Sequence, residues 1–157
     1  MQPCVLVLPL DRPQHRILLG FKKAGFEAGR YGGFGGKLQA GETLVVGAVR
    51  KLREESGLLA RPQNLWYAAH LEFLFPACPD WNRTVHVFRL EFWEGEPQES
   101  REVRPQWFGF DQLPFEQMWA DAPYWLPQVL LGSRPRMRFT YRPDNQRVKL
   151  AEELEGE

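Results

Sequence analysis

An α+β domain is predicted, and three observations predict it. Six short runs of aliphatic, β-branched and aromatic residues are separated by clusters of Pro, Gly and Asp, the punctuation of strands. One segment, residues 43–56, instead carries its apolar residues at helical spacing. The chain has 157 residues, the length of a single domain with a core of useful size. Residues 1–142 are assigned to that domain and 143–157, polar and acid-rich, to a loose tail.

The elements follow in order. Residues 5–8 form an apolar run closed by Pro9, a buried strand. Turn residues occupy 11–14, and 16–21 is a second strand. Residues 22–36 are rich in Gly with interleaved aromatics, which fits either a flexible connection or the wall of a site. In the helix over 43–56, Thr43 caps the N-terminus and Gly57 suits the left-handed position past the C-terminus. Leu44, Val45, Ala48, Val49 and Leu52 make its apolar stripe. Residues 65–75 and 84–93 read as strands joined by a hairpin loop at 76–80. Residues 102–110 form a shorter strand, and Pro105 places it at an edge. A second helix spans 122–131, with Pro123 in its first turn and Pro127 as an ill-fitting interior residue. Residues 136–141 close the set as a strand.

Composition excludes several classes. Formal net charge is zero, so no general attraction to a nucleic-acid polymer is expected. Cys4 and Cys78 form no CxxC pair and no zinc spacing, which points to a reduced, cytoplasmic chain. The first eleven residues are too short and too proline-rich for a signal peptide, and no apolar run is long enough to span a bilayer. Six Trp residues serve a core or a pocket for a flat ligand equally well.

The chemistry concentrates at residues 36–58. A glycine-rich loop, 36–42, opens the helix and lets backbone atoms approach a ligand. Lys51, Glu54 and Glu55 stand at i, i+3 and i+4, crowding one side of that helix. Carboxylates so placed can share hard cations such as Mg²⁺ with a phosphate chain. Ordinary surface ion pairs, such as Arg50 with Glu54, would use the same residues.

The spacing resembles the Nudix box, G-x5-E-x7-R-E-U-x-E-E-x-G-U with U aliphatic. Gly36, Glu42, Arg50, Leu52, Glu54, Glu55, Gly57 and Leu58 match eight of its nine specified positions. GFKKAGFEAGRYGGFGGKLQAGET, HVF, RPQWF, DQLPF and MWADAPYW extend the resemblance to the MutT-homologue branch, over residues 5–141. That resemblance implies a mixed sheet sandwiched between α-helices. It implies Mg²⁺, or Mn²⁺ in its place, and cleavage of 8-oxo-dGTP-like modified purine nucleoside triphosphates to the monophosphate and diphosphate by a monomer. It further implies metal ligation by the Gly36 carbonyl, Glu54, Glu55 and Glu102, with Glu55 near the attacking water, and bracing of the loop by Glu42 and Arg50. Lys22, Phe34, Gly35, Gly36 and Lys37 would lie along the substrate, although Lys22 equally suits a solvated surface. The base would meet Cys4, Phe26, Phe73, Trp119 and Asp121, although Phe73 and Trp119 also suit a plain core.

Three positions depart from the family pattern. Lys51 stands in place of the first Glu of the REUxEE core, Gly32 in place of a base-reading Asn, and Ala122 in place of the second of two Asp residues. Lost hydrogen-bonding readers predict a weaker or altered preference among modified purines. The Lys51 ammonium either substitutes in part for a metal ion or swings to solvent on its flexible stem. At a partly shielded site a unit charge in contact is worth a few kcal/mol, about a hundredfold in rate. Two other readings therefore stand beside the hydrolase: a nucleotide-binding module weakened by Lys51, and a hydrolase of another nucleoside diphosphate derivative.

Overall fold

A computed structural model describes residues 1–155. In chain order the strands are β1 (Gln2–Asp11), β2 (Arg16–Lys22), β3 (Tyr31–Gly32), β4 (Phe34–Lys37), β5 (Leu65–Leu74), β6 (Arg83–Leu90), β7 (Val103–Gly109), β8 (Arg136–Tyr141) and β9 (Val148–Glu153). Two α-helices join them, α1 (Leu44–Ser56) and α2 (Ala122–Leu130). The main path runs β3-β2-β1-β6-β5-β8-β9, with β4 paired to β1 and β7 to β2. β1 runs parallel to β6, and β5 to β8; the other pairs are antiparallel, so the sheet is mixed.

Long β1 organises the molecule. Cys4 to Val7 pair with β4 on one side and with β6 on the other, while Leu10 and Asp11 pair with β2. Its alternating side chains feed two cores. Val5 and Val7 pack with Phe34, Ala48, Leu52 and Leu90 under α1. Leu8 and Leu10 join Leu71, Phe139, Leu126 and Val129 under α2. One helix therefore covers each side, as expected from the resemblance.

Helix α1 forms where local signals place it. The Thr43 hydroxyl accepts the Val46 N–H at 3.2 Å, and Gly57 adopts φ 78° with its N–H donating to the Arg53 carbonyl. Ala48 and Leu52 are fully buried. β7 pairs only with β2 among the described strands, with Pro105 opposite Gly20, an edge as Pro105 suggests.

Two expectations need correction. The glycine-rich stretch 22–36 is not one long loop, because residues 31–32 and most of 34–37 are strands pinned to β2 and β1. The tail is not loose over 148–153: β9 pairs antiparallel with β8 from Met137/Glu153 to Tyr141/Val148. Val148 and Ala151 reach the core, while Lys149, Leu150 and Glu153 are exposed. The segment owes its order to backbone pairing on an edge, which a polar composition does not reveal.

Candidate active site

The carboxylate cluster is built where α1 faces β4. Glu55 is buried, 8% exposed, at the last turn of the helix. Its Oε1 accepts the Gly35 N–H at 2.9 Å and lies 3.4 Å from Lys22 Nζ. Lys22, 5% exposed, also donates to the Gly33 carbonyl at 2.7 Å. Lys22 is therefore not a solvated surface lysine. Buried and oppositely charged, the two groups offset part of each other's desolvation.

Such a close approach requires glycine at 35. A Cβ there would come within 1.8 Å of the Val5 carbonyl oxygen. Gly35→Ala is expected to lower stability by at least about 3 kcal/mol, since overpacking here meets backbone rather than a yielding side chain. Urea unfolding measures this, and a change under 1 kcal/mol would show that β4 shifts freely.

Glu42 and Arg50 brace the loop as expected. Arg50 Nε donates to Glu42 Oε2 at 2.5 Å and Nη2 to Oε1 at 2.9 Å, a two-pronged pair. The Gln39 N–H adds a third bond to Glu42 at 2.9 Å. The hydrogen bond from Arg50, with that from Gln39, holds the Glu42 carboxyl down to about 2 from 4.5. Its contribution is thus fully present above pH 4.5 and is lost as pH falls through about 2. Acid unfolding of Glu42→Gln should accordingly be flatter than wild type across that window. Superimposable profiles would show that the brace does not couple to folding.

Glu54 is half exposed, with Arg50 Nη1 at 3.2 Å from each of its oxygens. Lys51 Nζ lies 3.6 Å from Glu54 Oε1 and 3.5 Å from Glu55 Oε2. The two carboxylates thus already share one cation, and Gly36 lines the adjoining slot without a side chain. Hard oxygen donors converging on a positive charge fit a divalent ion.

Glu102 does not join them. It is exposed just before β7, and its carbonyl accepts the Lys23 N–H at 2.7 Å. Among the described residues no three Asp, Glu, His or Cys side chains gather closely enough to hold a metal ion. The expected meeting of Glu54, Glu55 and Glu102 is therefore not observed among the described residues. Lys37 is exposed, and Phe34 is fully buried under α1, away from the slot described next. Phe34 instead carries the Lys22 ammonium 5.6 Å above its ring.

A flat slot opens on the α2 side of the same strands. Cys4, Phe26, Gly32, Gly35, Gly36 and Phe73 line it, together with Trp119, Asp121 and Ala122. Phe26 stacks on Trp119 at 5.2 Å and 18°. Trp119 therefore stands in the slot wall, and Phe73, although buried, reaches the slot as well as Phe139. Trp119 Nε1 is buried and has no partner among the described residues, an unspent donor.

Asp121 is the buried acid of the slot. Its Oδ2 accepts from Trp125 Nε1 at 2.8 Å and its Oδ1 from the Tyr141 hydroxyl at 2.5 Å. Burial pushes its carboxyl up despite these two donors, and burial with the Asp121 charge pushes the Tyr141 hydroxyl up. Burial also raises the Cys4 thiol, against the pull of Arg83.

Arg83, Glu27 and Tyr141 line the slot without having been singled out in the sequence. Arg83 places its guanidinium 4.3 Å over the Phe26 ring, and Arg30 does so over Trp119 at 4.2 Å. Arg83 arrives through the pairing of Gln2 with Arg83 in the parallel β1/β6 ladder. No local pattern announces a contact across 81 residues.

Comparison with known proteins agrees with this geometry. The family model of the NUDIX domain matches residues 1–129. An oxidized purine nucleoside triphosphate hydrolase of Mus musculus is 50% identical over 125 residues, covering 80% of this chain and 77% of that protein. A protein of the same description from Danio rerio is 47% identical over 130 residues, covering 83% and 81%. A MutT protein structure from Bacillus halodurans superposes with TM-score 0.78 over 97% of each chain, at 22% identity, which bears on the fold.

Proposed function

From the premise that this chain belongs to the Nudix hydrolase family, we propose that it hydrolyses oxidised purine nucleoside triphosphates to the monophosphate and diphosphate, clearing them from the nucleotide pool. One observation carries the reading: β4 belongs to both halves of the site. Gly35 and Gly36 line the aromatic slot, and the same Gly35 N–H holds Glu55. A purine ring lying in the slot would send its phosphates past these glycines toward Glu54 and Glu55. Relatives sharing about half the sequence carry that activity in their names.

Nudix hydrolases use divalent metal ions, and Mg²⁺, with Mn²⁺ as a substitute, is the ion proposed here. Glu54, Glu55 and the Gly36 carbonyl would hold it. When bound, such an ion neutralises phosphate oxygens and makes water more acidic. The chain's own groups do the rest. Gly35 and Lys22 fix Glu55 Oε1, so the proton from water would go to Oε2, which the Lys51 ammonium approaches to 3.5 Å. That water adds to a phosphorus atom, the P–O bond between the α and β groups breaks, and the proton passes to Glu55. Lys37, exposed and paired across β4 and β1 with the slot residue Cys4, and Glu102, exposed before β7, are proposed to meet the phosphates and the metal from the open side.

Recognition of the base falls to Phe26 and Trp119, stacked on each other as one wall, and to Asp121 as polar reader, with Cys4 and Phe73 on the floor. Gly32 and Ala122 offer no side-chain hydrogen bond, so the proposed range extends to several modified purines. No described helix is long and apolar enough to cross a membrane. A cytoplasmic monomer is proposed, supported by two unpaired cysteines, Cys4 and Cys78.

A second reading, a nucleotide-binding module with slow turnover, is favoured by the contacts of Lys51 with both carboxylates. Single-turnover product assays with Mg²⁺ and excess enzyme separate the two. We expect 8-oxo-dGTP or 2-oxo-dATP to be cleaved at least about tenfold faster than dGTP. No product from any purine triphosphate would sink the hydrolase.

A further inference from the structure

Lys51 does not swing to solvent. Its side chain is 20% exposed, and its ammonium sits between Glu54 and Glu55 at 3.6 and 3.5 Å. Its stem runs against Gly36, where an added Cβ would lie only 3.0 Å from Lys51 Cε. Two carboxylates and a bare stretch of backbone thus hold one cation in place.

The charges around it balance. Lys22, Arg50 and Lys51 face Glu42, Glu54 and Glu55 in one connected set of ion pairs, whose formal sum is zero. A carboxylate at position 51, which the Nudix pattern specifies, would bring the same set to minus two. That deficit equals the charge of one divalent ion.

We propose that Lys51 is a built-in cation of the phosphate site, standing in for a second divalent ion beside the one that Glu54, Glu55 and the Gly36 carbonyl would hold. The chain then needs less metal to hold a polyphosphate, because an ammonium already faces the phosphate oxygens and weakens the carboxylates' repulsion of them. The inference rests on the reading above that this loop carries the phosphates.

Two titrations of the full chain test it, and neither measures turnover. In the first, Mn²⁺ is added to metal-free protein and free Mn²⁺ is followed by electron paramagnetic resonance. Lys51→Glu should bind one more equivalent than wild type, or bind about tenfold more tightly. Lys51→Met should fall between them, and Lys51→Arg should match wild type. Identical curves for wild type and Lys51→Glu, or for Lys51→Met and Lys51→Arg, would overturn the proposal. In the second, inorganic triphosphate is titrated in the presence of a chelator. Wild type and Lys51→Arg should bind, and Lys51→Met should lose about tenfold in affinity. Equal affinities would overturn the proposal as well. Should Lys51→Glu fail to fold, the Met and Arg variants decide alone. A wrong substrate assignment would show separately, as absent product from every purine triphosphate with both titrations unchanged.

Discussion

Glu55→Gln is expected to slow turnover by about 10²–10⁴-fold, the range associated with a positioned proton acceptor. The amide keeps the shape and still accepts the Gly35 N–H, but it cannot take a proton from water. A second consequence comes from burial. Lys22 and Glu55 are 5% and 8% exposed, so the substitution leaves the Lys22 ammonium without its counter-charge. Stability should fall by about 3 kcal/mol, at the low end for a broken buried pair because the Gly33 carbonyl still accepts from Lys22. Single-turnover kinetics and urea unfolding report the two effects separately. If stability drops while the rate stays within tenfold of wild type, Glu55 is a prop for Lys22 and not the proton acceptor.

Asp121→Ala should weaken binding of a non-hydrolysable purine triphosphate by tenfold or more and cost about 2–4 kcal/mol of stability. The methyl group leaves Trp125 Nε1 and the Tyr141 hydroxyl without their acceptor inside the core. Asp121→Asn refines the expectation through pH. Burial raises the folded carboxyl above its ordinary 3.8, so the folded state holds its proton more tightly than the unfolded chain. The stability from that proton is complete below pH 3.8 and is lost as pH rises through the folded value. The asparagine variant, having no proton to release, should show a flatter stability profile above pH 3.8. A wild-type profile no steeper than the variant's would mean that Asp121 titrates like an exposed acid.

What was legible in the sequence was mostly local. Helix α1 carries its own cap, stripe and terminating glycine within fifteen residues, and Arg50, Leu52, Glu54 and Glu55 of the family pattern lie on it. The strands read at 16–21, 65–75 and 136–141 are legible from short runs closed by turn residues, and the structure has them at 16–22, 65–74 and 136–141. What escaped depended on distant pairing. β9 is polar and holds through β8; Arg83 reaches the slot through β1. Phe34 and Phe26 are both aromatics of one glycine-rich stretch, yet the first is core beneath α1 and the second stacks on Trp119. The pairing of β4 with β1 turns Phe34 under α1, whereas Phe26 sits in the turn before β3 and meets Trp119. Glu102 joins the metal site by resemblance alone, and no local pattern in the sequence separates it from an exposed acid just before β7.

The slot under α2 and the carboxylate cluster under α1 lie on opposite faces of the same strands and meet through the backbone of β4. Substitutions that reshape the ring-binding cavity therefore leave the hydrolytic apparatus on the opposite flank largely undisturbed. Such a division lets the range of accepted bases drift in evolution without rebuilding the bond-breaking step. Gly32 and Ala122 would be drift of that kind, whereas Lys51 alters the other flank.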